Sequence, residues 1–334
     1  MTETNRTPIR ALVTGATGFT GWYVAKELRA QGVPVRALVR DPAAPAAQEL
    51  AATGVELAEG DLRDAASLRR AVEGTSHVYH IGALYREARF ADSVYFDVNV
   101  TGTGHLFEAA LQNGARVVHC STVGVHGDVT GVADENAPFA PGDVYQESKV
   151  EGEKLFQAYL QKGMAGACFR PAGIYGPRDT RFLKLFKTIR ERKFRMFGSG
   201  EILYHLTYVE DLARGIVLLG THPAALGETF ILTGARYTTL NELVALTAEA
   251  VKVPPPKGRL PIGPLLLAAA ACEAVCRPFG IEPPLHRRRT DFFTKSRAFT
   301  SAKAERLVGY RPTVDLREGL GRTADWYFQQ GLIR

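Results

Sequence analysis

The sequence predicts an α/β fold, a doubly wound parallel sheet joined to a smaller C-terminal α/β region. Three observations carry the expectation. Short apolar runs alternate with helix-patterned stretches through the first half, at a spacing that requires crossover connections and hence parallel strands. A glycine-rich turn, Thr14-Gly15-Ala16-Thr17-Gly18-Phe19-Thr20-Gly21, separates the first apolar run from the first helical pattern. Beyond Arg170 the rhythm loosens, with no internal repeat and no flexible linker. At 334 residues, 46% hydrophobic and 23% charged, the chain can bury the core that such a fold needs.

In chain order, residues 9–13 read as the first strand, being short, apolar and followed by the glycine turn. Residues 18–30 then read as a helix. Strands follow at 33–39, 55–58, 77–81, 116–119 and 165–169, separated by helix-like stretches at 46–52, 65–72, 102–112 and 144–161. In the irregular half, 182–190 looks helical, a further element follows at 194–197, and Gly198-Ser199-Gly200 is a turn. A helix at 209–219 and a buried strand at 229–232 come next. Thr239-Leu240-Asn241-Glu242 is a capping box that opens a helix to about Val251, Pro254-Pro255-Pro256 is a rigid break, and Asp315-Leu316-Arg317-Glu318 opens a last helix towards Gln330. The expected division is a dinucleotide-binding domain over 1–176, with 208–233 added, and a substrate-binding region over 177–207 and 234–334.

The formal net charge of +6 suits an anionic cofactor or substrate, while no dense Lys/Arg tract with interleaved aromatics occurs, so nucleic acid is not an expected partner. Residues 1–6 carry no apolar signal, and the longest apolar run, 262–271, is too short to span a bilayer. Cys120 and Cys168 end strand-like runs. Cys272 and Cys276 share one helix face with no His/Cys pair following, so packing is expected rather than a metal site. A reduced, cytoplasmic setting is the corresponding expectation.

A strand, the T-G-x-x-G-x-x-G turn and a helix together make a dinucleotide site of the Rossmann type. Gly15 allows the tight turn, Gly18 the approach of backbone amides to a pyrophosphate, and Gly21 the close packing of helix on strand. The tip of the second strand selects the cofactor: an acid accepts the ribose 2′-OH of NAD, an arginine accommodates the 2′-phosphate of NADP. Here Val35-Arg36-Ala37-Leu38-Val39-Arg40 ends on arginine, with Asp41 one step further, so NADP(H) is expected ahead of NAD(H). Asp61, in Gly60-Asp61-Leu62, is placed to meet the adenine edge or to cap a helix. Tyr145 and Lys149 lie four residues apart and share a helix face; a cation beside a phenol favours phenolate, the form a general base for a hydroxyl needs.

These segments, with His80-Ile81-Gly82-Ala83, Asn99-Val100-Thr101-Gly102-Thr103, Ser121-Thr122-Val123-Gly124-Val125-His126-Gly127, Tyr145-Gln146-Glu147-Ser148-Lys149 and Arg170-Pro171-Ala172-Gly173-Ile174-Tyr175-Gly176-Pro177, occur in an order that resembles the extended short-chain dehydrogenase/reductase superfamily, of the NAD-dependent epimerase/dehydratase type. The resemblance implies a Ser/Thr–Tyr–Lys triad. Tyr145 would exchange the proton with the substrate oxygen, and Lys149 would hold the nicotinamide ribose. Matching Val125-His126-Gly127 to the family's V-Y-G puts Thr122 on the catalytic hydroxyl, with Ser121 beside it and His126 in a tyrosine's place. The implied cofactor contacts are Gly15, Thr17, Gly18, Phe19, Thr20, Arg40, Asp61, Leu62, Ala83, Asn99, Pro171, Gly173 and Ile174, together with Tyr145 and Lys149; for Asn99 and Thr122, capping roles stand as alternatives. Ser121, Tyr85, Arg178 and Tyr204 are the candidate substrate contacts.

Nucleotide-sugar enzymes of this superfamily carry an arginine six residues before the acidic pair that opens the next helix. Here the pair is Glu210-Asp211 and the position holds Tyr204, a neutral phenol that cannot replace a charged fork. The second strand, 35–42, is similar instead to the branch of 3β-hydroxysteroid dehydrogenases and dihydroflavonol reductases. The apolar stretch 264–275 suits that branch, as a pocket lining, a shallow peripheral membrane contact, or a helix packed on the core. His286-Arg287-Arg288-Arg289 is either a solvated helix end or a site for an acidic group. The leading expectation is an NADP(H)-preferring oxidoreductase that interconverts a secondary alcohol and a ketone on a mainly apolar steroid-like, flavonoid-like or hydroxy-acyl substrate. The alternatives are a nucleotide-sugar epimerase or dehydratase, and a non-catalytic dinucleotide-binding sensor. The resemblance also implies a homodimer through helices 102–112 and 144–161.

Overall fold

The computed structural model describes residues 9–85, 90–276 and 287–334, the side chains of 287–289 excepted, so the readings of the first residues and of the charged stretch 286–289 lie outside the described parts. One seven-stranded sheet organises the chain: β1 (Ala11–Thr14), β2 (Val35–Val39), β3 (Glu56–Glu59), β4 (His77–His80), β5 (Arg116–Cys120), β6 (Gly166–Pro171) and β7 (Thr229–Leu232). The spatial order is β7-β6-β5-β4-β1-β2-β3, with every pairing parallel. The chain winds outwards from β1 to β3 and then returns to lay β4 against the other side of β1. That reversal opens a crevice at the carboxyl ends of β1 and β4, the place where doubly wound sheets bind their ligands.

The helices, in chain order, are α1 (Phe19–Ala30), α2 (Pro45–Ala51), α3 (Ala65–Val72), α4 (Asp92–Phe96), α5 (Thr103–Gln112), α6 (Val144–Gln161), α7 (Leu183–Arg190), α8 (Val209–Thr221), α9 (Leu240–Ala250), α10 (Ile262–Cys276), α11 (Arg287–Thr294), α12 (Ala302–Val308) and α13 (Leu316–Gln329). Strand side chains alternate between two buried layers, which is why the strands read as continuous apolar runs. Ala11, Val13, Val118 and Phe169 pack with Val24 and Leu28 of α1 and Leu212 and Ile216 of α8. Leu12, Val117 and Cys168 pack on the other face with Leu68 of α3, Phe107 of α5 and Phe156 of α6.

A second core gathers Phe186 of α7, Leu243 of α9, Leu320 and Tyr327 of α13, and Tyr175, Tyr204 and Tyr208. The caps read from sequence are made: Thr239 and Asp315 accept from the Glu242 and Glu318 amides. Residues Ala304, Val308 and Tyr310, which the sequence division assigns to the second region, pack instead in the first core beside α8.

Three departures have physical reasons. Helical structure before α5 starts at Asp92 and passes through a π-helical turn at Asp97–Gly102, although its Val, Thr and Asn residues are weak helix formers. Asn99 and the buried Tyr95 tie it down by tertiary contact. Next, α10 is apolar on all sides yet, of its residues, only Ala269 is buried; Leu267 and Val275 are 73% and 66% exposed. The expectation of a helix packed on the core therefore fails among the described residues. Finally, α12 is too short to stand out in sequence, and it is held by packing and by Lys303, which donates to the Thr229 carbonyl at 2.8 Å. No helix of the described residues is long and apolar enough to cross a membrane.

Candidate active site

The glycine turn is dictated by backbone proximity. Gly15 has φ +70°, and a Cβ there would meet the Gly82 backbone at 2.7 Å; one at Gly21 would overlap the Gly15 carbonyl. Gly18 is different, because its Cβ would touch only the Gly15 oxygen at 3.2 Å. It is the N-cap of α1, with no side-chain acceptor and no acid in the first turn. The first amides of α1 are thus left for an anion, aided by the helix dipole, and a dinucleotide's pyrophosphate fits this cradle. Thr14 ties the turn to β4: its hydroxyl meets His80 Nδ1 at 2.8 Å and accepts from the Gly82 amide at 3.0 Å. Thr17 and Gly18 are exposed, Phe19 and Thr20 half-buried.

At the β2 tip Arg40 is exposed. Asp41 turns back to accept from the Ala43 amide at 2.8 Å. Asp61 forms a fork with Arg63, at 3.0 Å to both Nε and Nη2. Bonding from Arg63 is the main reason its carboxyl sits below the ordinary value, with a smaller contribution from Arg40. Leu62 lies beneath Gly102, where a Cβ would meet the Leu62 carbonyl oxygen at 2.9 Å.

Asp143 caps α6 by accepting from the Gln146 amide at 2.9 Å, which sets Tyr145 in the first turn and Lys149 one turn on. Both are buried, 8% and 3% exposed. Burial lowers the Lys149 pKa from its ordinary value, and the ammonium has no hydrogen bond or ion pair with any described residue. The Tyr145 ring is met edge-on by Tyr85 at 4.9 Å. Thr122 follows β5 and caps a short 3-10 turn, its Oγ1 accepting from the Gly124 amide at 3.0 Å; the hydroxyl proton is left to donate elsewhere.

Other expected residues are drawn away from the cleft. The Ser121 hydroxyl donates to Glu153, which with Arg170 forms a buried ion pair at 2.9 and 2.6 Å. Arg170 also lies 3.0 Å from His126 Nε2, and His126 Nδ1 is 3.1 Å from the Pro138 carbonyl. The histidine in the tyrosine's place is thus a packed partner of Arg170, with burial lowering its pKa. Asn99 is a brace, accepting from the Leu84 amide and donating to the Leu84 carbonyl and Ser148 Oγ. That fixes the loop carrying Ala83 and Tyr85 to α6. Arg178 is held by Glu49 at 2.7 and 3.0 Å and lies over Trp22. Tyr204 is buried, its hydroxyl donating to the Phe292 carbonyl at 2.7 Å, so it braces the second core.

Pro171 is buried at the end of β6, and Gly173 and Ile174 follow it in a short strand. Sequence reasoning missed Arg181, whose guanidinium reaches this segment by donating to the Ile174 carbonyl at 2.8 Å. Its signal was the cluster Arg178-Asp179-Thr180-Arg181, of which only Arg178 is singled out above. It also missed Glu153, which continues the Tyr145–Lys149 spacing by one turn.

Comparison with known proteins bears on the fold and its family. The model of the NAD dependent epimerase/dehydratase family matches residues 11–232. Sterol demethylase protein B of Methylococcus capsulatus is 31% identical, over 96% of this chain and 99% of that protein. The decarboxylating sterol-4-alpha-carboxylate 3-dehydrogenase erg26 of Schizosaccharomyces pombe is 32% identical, over 71% of this chain and 73% of that one. Among solved structures, gox2253 superimposes with a TM-score of 0.82 at 30% identity, covering 97% of this chain and 99% of its own. The Thermus thermophilus UDP-glucose 4-epimerase complex with NAD superimposes with a TM-score of 0.75 at 25% identity, covering 96% and 99%.

Proposed function

Because this chain belongs to the NAD dependent epimerase/dehydratase family of extended short-chain dehydrogenases/reductases, we propose that it interconverts a secondary alcohol and a ketone on a mainly apolar, sterol-like substrate. The carrying observation is Lys149: a 3%-exposed ammonium, one helical turn from Tyr145, without a partner among the described residues. An isolated buried charge is costly, and hydroxyls of a bound ribose would supply the missing acceptors. Gly15, Gly18 and the α1 amides would hold the pyrophosphate, and the Pro171–Ile174 backbone would border the nicotinamide.

When bound, the nicotinamide accepts or supplies the hydride at the carbinol carbon. Tyr145, as phenolate, takes the hydroxyl proton in the oxidative direction and returns it in the reductive one. Lys149 favours that phenolate by its charge. Thr122 Oγ1 donates to the substrate oxygen while it accepts from Gly124, so one hydroxyl orients both the turn and the substrate. The two sterol-acting relatives support the apolar substrate class. Tyr204, spent on the Phe292 carbonyl, leaves no charged fork for a sugar diphosphate at that position. A preference for NADP(H) over NAD(H) is part of the proposal and rests on Arg40.

The test is a turnover panel of 3β-hydroxysterols, 3-ketosteroids and UDP-sugars, followed by nicotinamide absorbance with each cofactor. Turnover is expected on the sterols, and Tyr145→Phe should abolish it while NAD(P)H stays bound. Turnover of UDP-sugars alone would overturn the substrate reading, and tighter binding of NAD than NADP would overturn the Arg40 argument.

A further inference from the structure

One buried carboxylate joins the three segments that carry the proposed reaction groups. Glu153 lies on α6, one helical turn beyond Lys149 and two beyond Tyr145, so the three share a face. Its Oε1 accepts from the hydroxyl of Ser121, the neighbour of Thr122 just after β5, and from Arg170 Nε at 2.9 Å. Its Oε2 accepts from Arg170 Nη2 at 2.6 Å, and Arg170 is the neighbour of Pro171 at the end of β6. Glu153 and Arg170 are each 5% exposed, and Ser121 is 2% exposed.

The far side of the pair is also satisfied. Arg170 Nη1 donates to the Glu135 carbonyl at 2.9 Å and lies 3.0 Å from His126 Nε2. His126 Nδ1, next to the Pro138 carbonyl, is the donor there, which leaves Nε2 as a neutral acceptor for the arginine. A buried pair of this kind is a poor device for stability alone. Taking two charges out of water costs about what their attraction returns, and an apolar pair of similar volume often serves as well. Its partners suit a different use: each arm of the carboxylate ends on the residue beside a group that the reaction needs.

We propose that Glu153 is a positioning residue: through Ser121 and Arg170 it sets how far the Thr122 hydroxyl and the Pro171–Ile174 backbone stand from Tyr145 and Lys149. This rests on the alcohol–ketone reading above. Tyr145 and Lys149 move with α6, Thr122 with the end of β5, and the nicotinamide border with the end of β6. A phenol and a hydroxyl that share one substrate oxygen must both reach it, and a misplacement of about 1 Å can cost about 100-fold in rate. Burial disfavours the Lys149 ammonium, and Glu153 is among the groups that oppose this effect. A brace needed only for folding is the rival.

The experiment uses Glu153→Asp, which keeps the charge but is one methylene shorter, and Ser121→Ala, which cuts the arm to β5 alone. With 3β-hydroxysterols and oxidised cofactor, each should lower kcat about 10- to 100-fold, with KM and the NADPH Kd within about two-fold of wild type. The double variant should lose little more than the larger single change, because both act through one carboxylate. In crystals of the NADP-loaded proteins, the distance from Thr122 Oγ1 to Tyr145 Oη should change by about 0.5 Å or more, and this arm needs no turnover. If Glu153→Asp does not fold, Ser121→Ala decides by the same kinetic and crystallographic readouts. An unchanged kcat with an unchanged distance would overturn the proposal, as would losses that multiply in the double variant. A kcat that falls only in step with melting temperature and cofactor affinity would overturn it in favour of the folding brace. Failure of the underlying reading looks different: wild type would oxidise no secondary alcohol, while the crystallographic distance would still judge Glu153.

Discussion

A lysine buried to 3% exposure and two histidines deeper still give the region behind the cleft an acid-sensitive character. His80, between Thr14 and Thr103, has its pKa pushed down to about 3, by burial first and by the Lys149 charge second. His119, with neither nitrogen bonded to a described group, lies well below the ordinary value for the same causes, with His80 adding to them. In the unfolded chain both would titrate near 6.5. Below that pH the unfolded state binds protons that the folded state refuses, so stability is complete above it and is lost as pH falls towards 3. The slope approaches about 1.4 kcal/mol per pH unit for each histidine. Urea unfolding between about pH 7 and pH 5 should show the midpoint falling across this window; an unchanged midpoint would contradict the buried neutral pair. His80 lies in a segment that carries the family resemblance and His119 in none, but no sequence pattern marked either as a buried neutral group, because their neutrality follows from packing between β4 and β5. The Tyr145–Lys149 spacing was legible, since four residues on a helix suffice to define it.

At the scale of elements, the β1–turn–α1 unit separates packing glycines from a ligand-facing one. Gly21→Ala forces a methyl group into the Gly15 carbonyl, a backbone atom that cannot yield. It should destabilise the protein by about 2 kcal/mol or more and weaken cofactor binding as a consequence. Gly18→Ala would meet only the Gly15 oxygen, at 3.2 Å, and should cost less than Gly21→Ala, about 1 kcal/mol in stability, while still lowering cofactor affinity, because it adds a methyl group to the turn proposed to hold the pyrophosphate. Thermal melting and fluorescence titration with NADPH check both; a Gly21→Ala protein that melts like wild type would sink the distinction. The turn was readable because strand, glycine spacing and helix agree locally. The π-helical turn at Asp97–Gly102 was not, because its stability comes from Asn99 reaching Leu84 and Ser148 across the fold.

Across the whole molecule, the switch between β1 and β4 brings four distant segments to one crevice: the glycine turn, the Asn99-braced loop, the α6 pair and the Pro171–Ile174 segment. Sequence order alone indicated the sheet, since alternating apolar runs and helices admit few topologies. It did not indicate which charged residues remain available, because that depends on tertiary partners. Arg178 is taken by Glu49, Ser121 by Glu153 and Tyr204 by Phe292. It likewise did not indicate that α10 would stay largely uncovered among the described residues. The central claim is hydride transfer at a carbinol carbon with Tyr145 handling the proton. The most direct measurement offers a 3β-hydroxysterol deuterated at carbon 3, with oxidised cofactor, to wild type and Tyr145→Phe. Deuterium should appear at nicotinamide C4 with wild type and not with the variant, although both bind cofactor. Deuterium retained on the sterol with wild type, or transferred equally by the variant, would contradict the account.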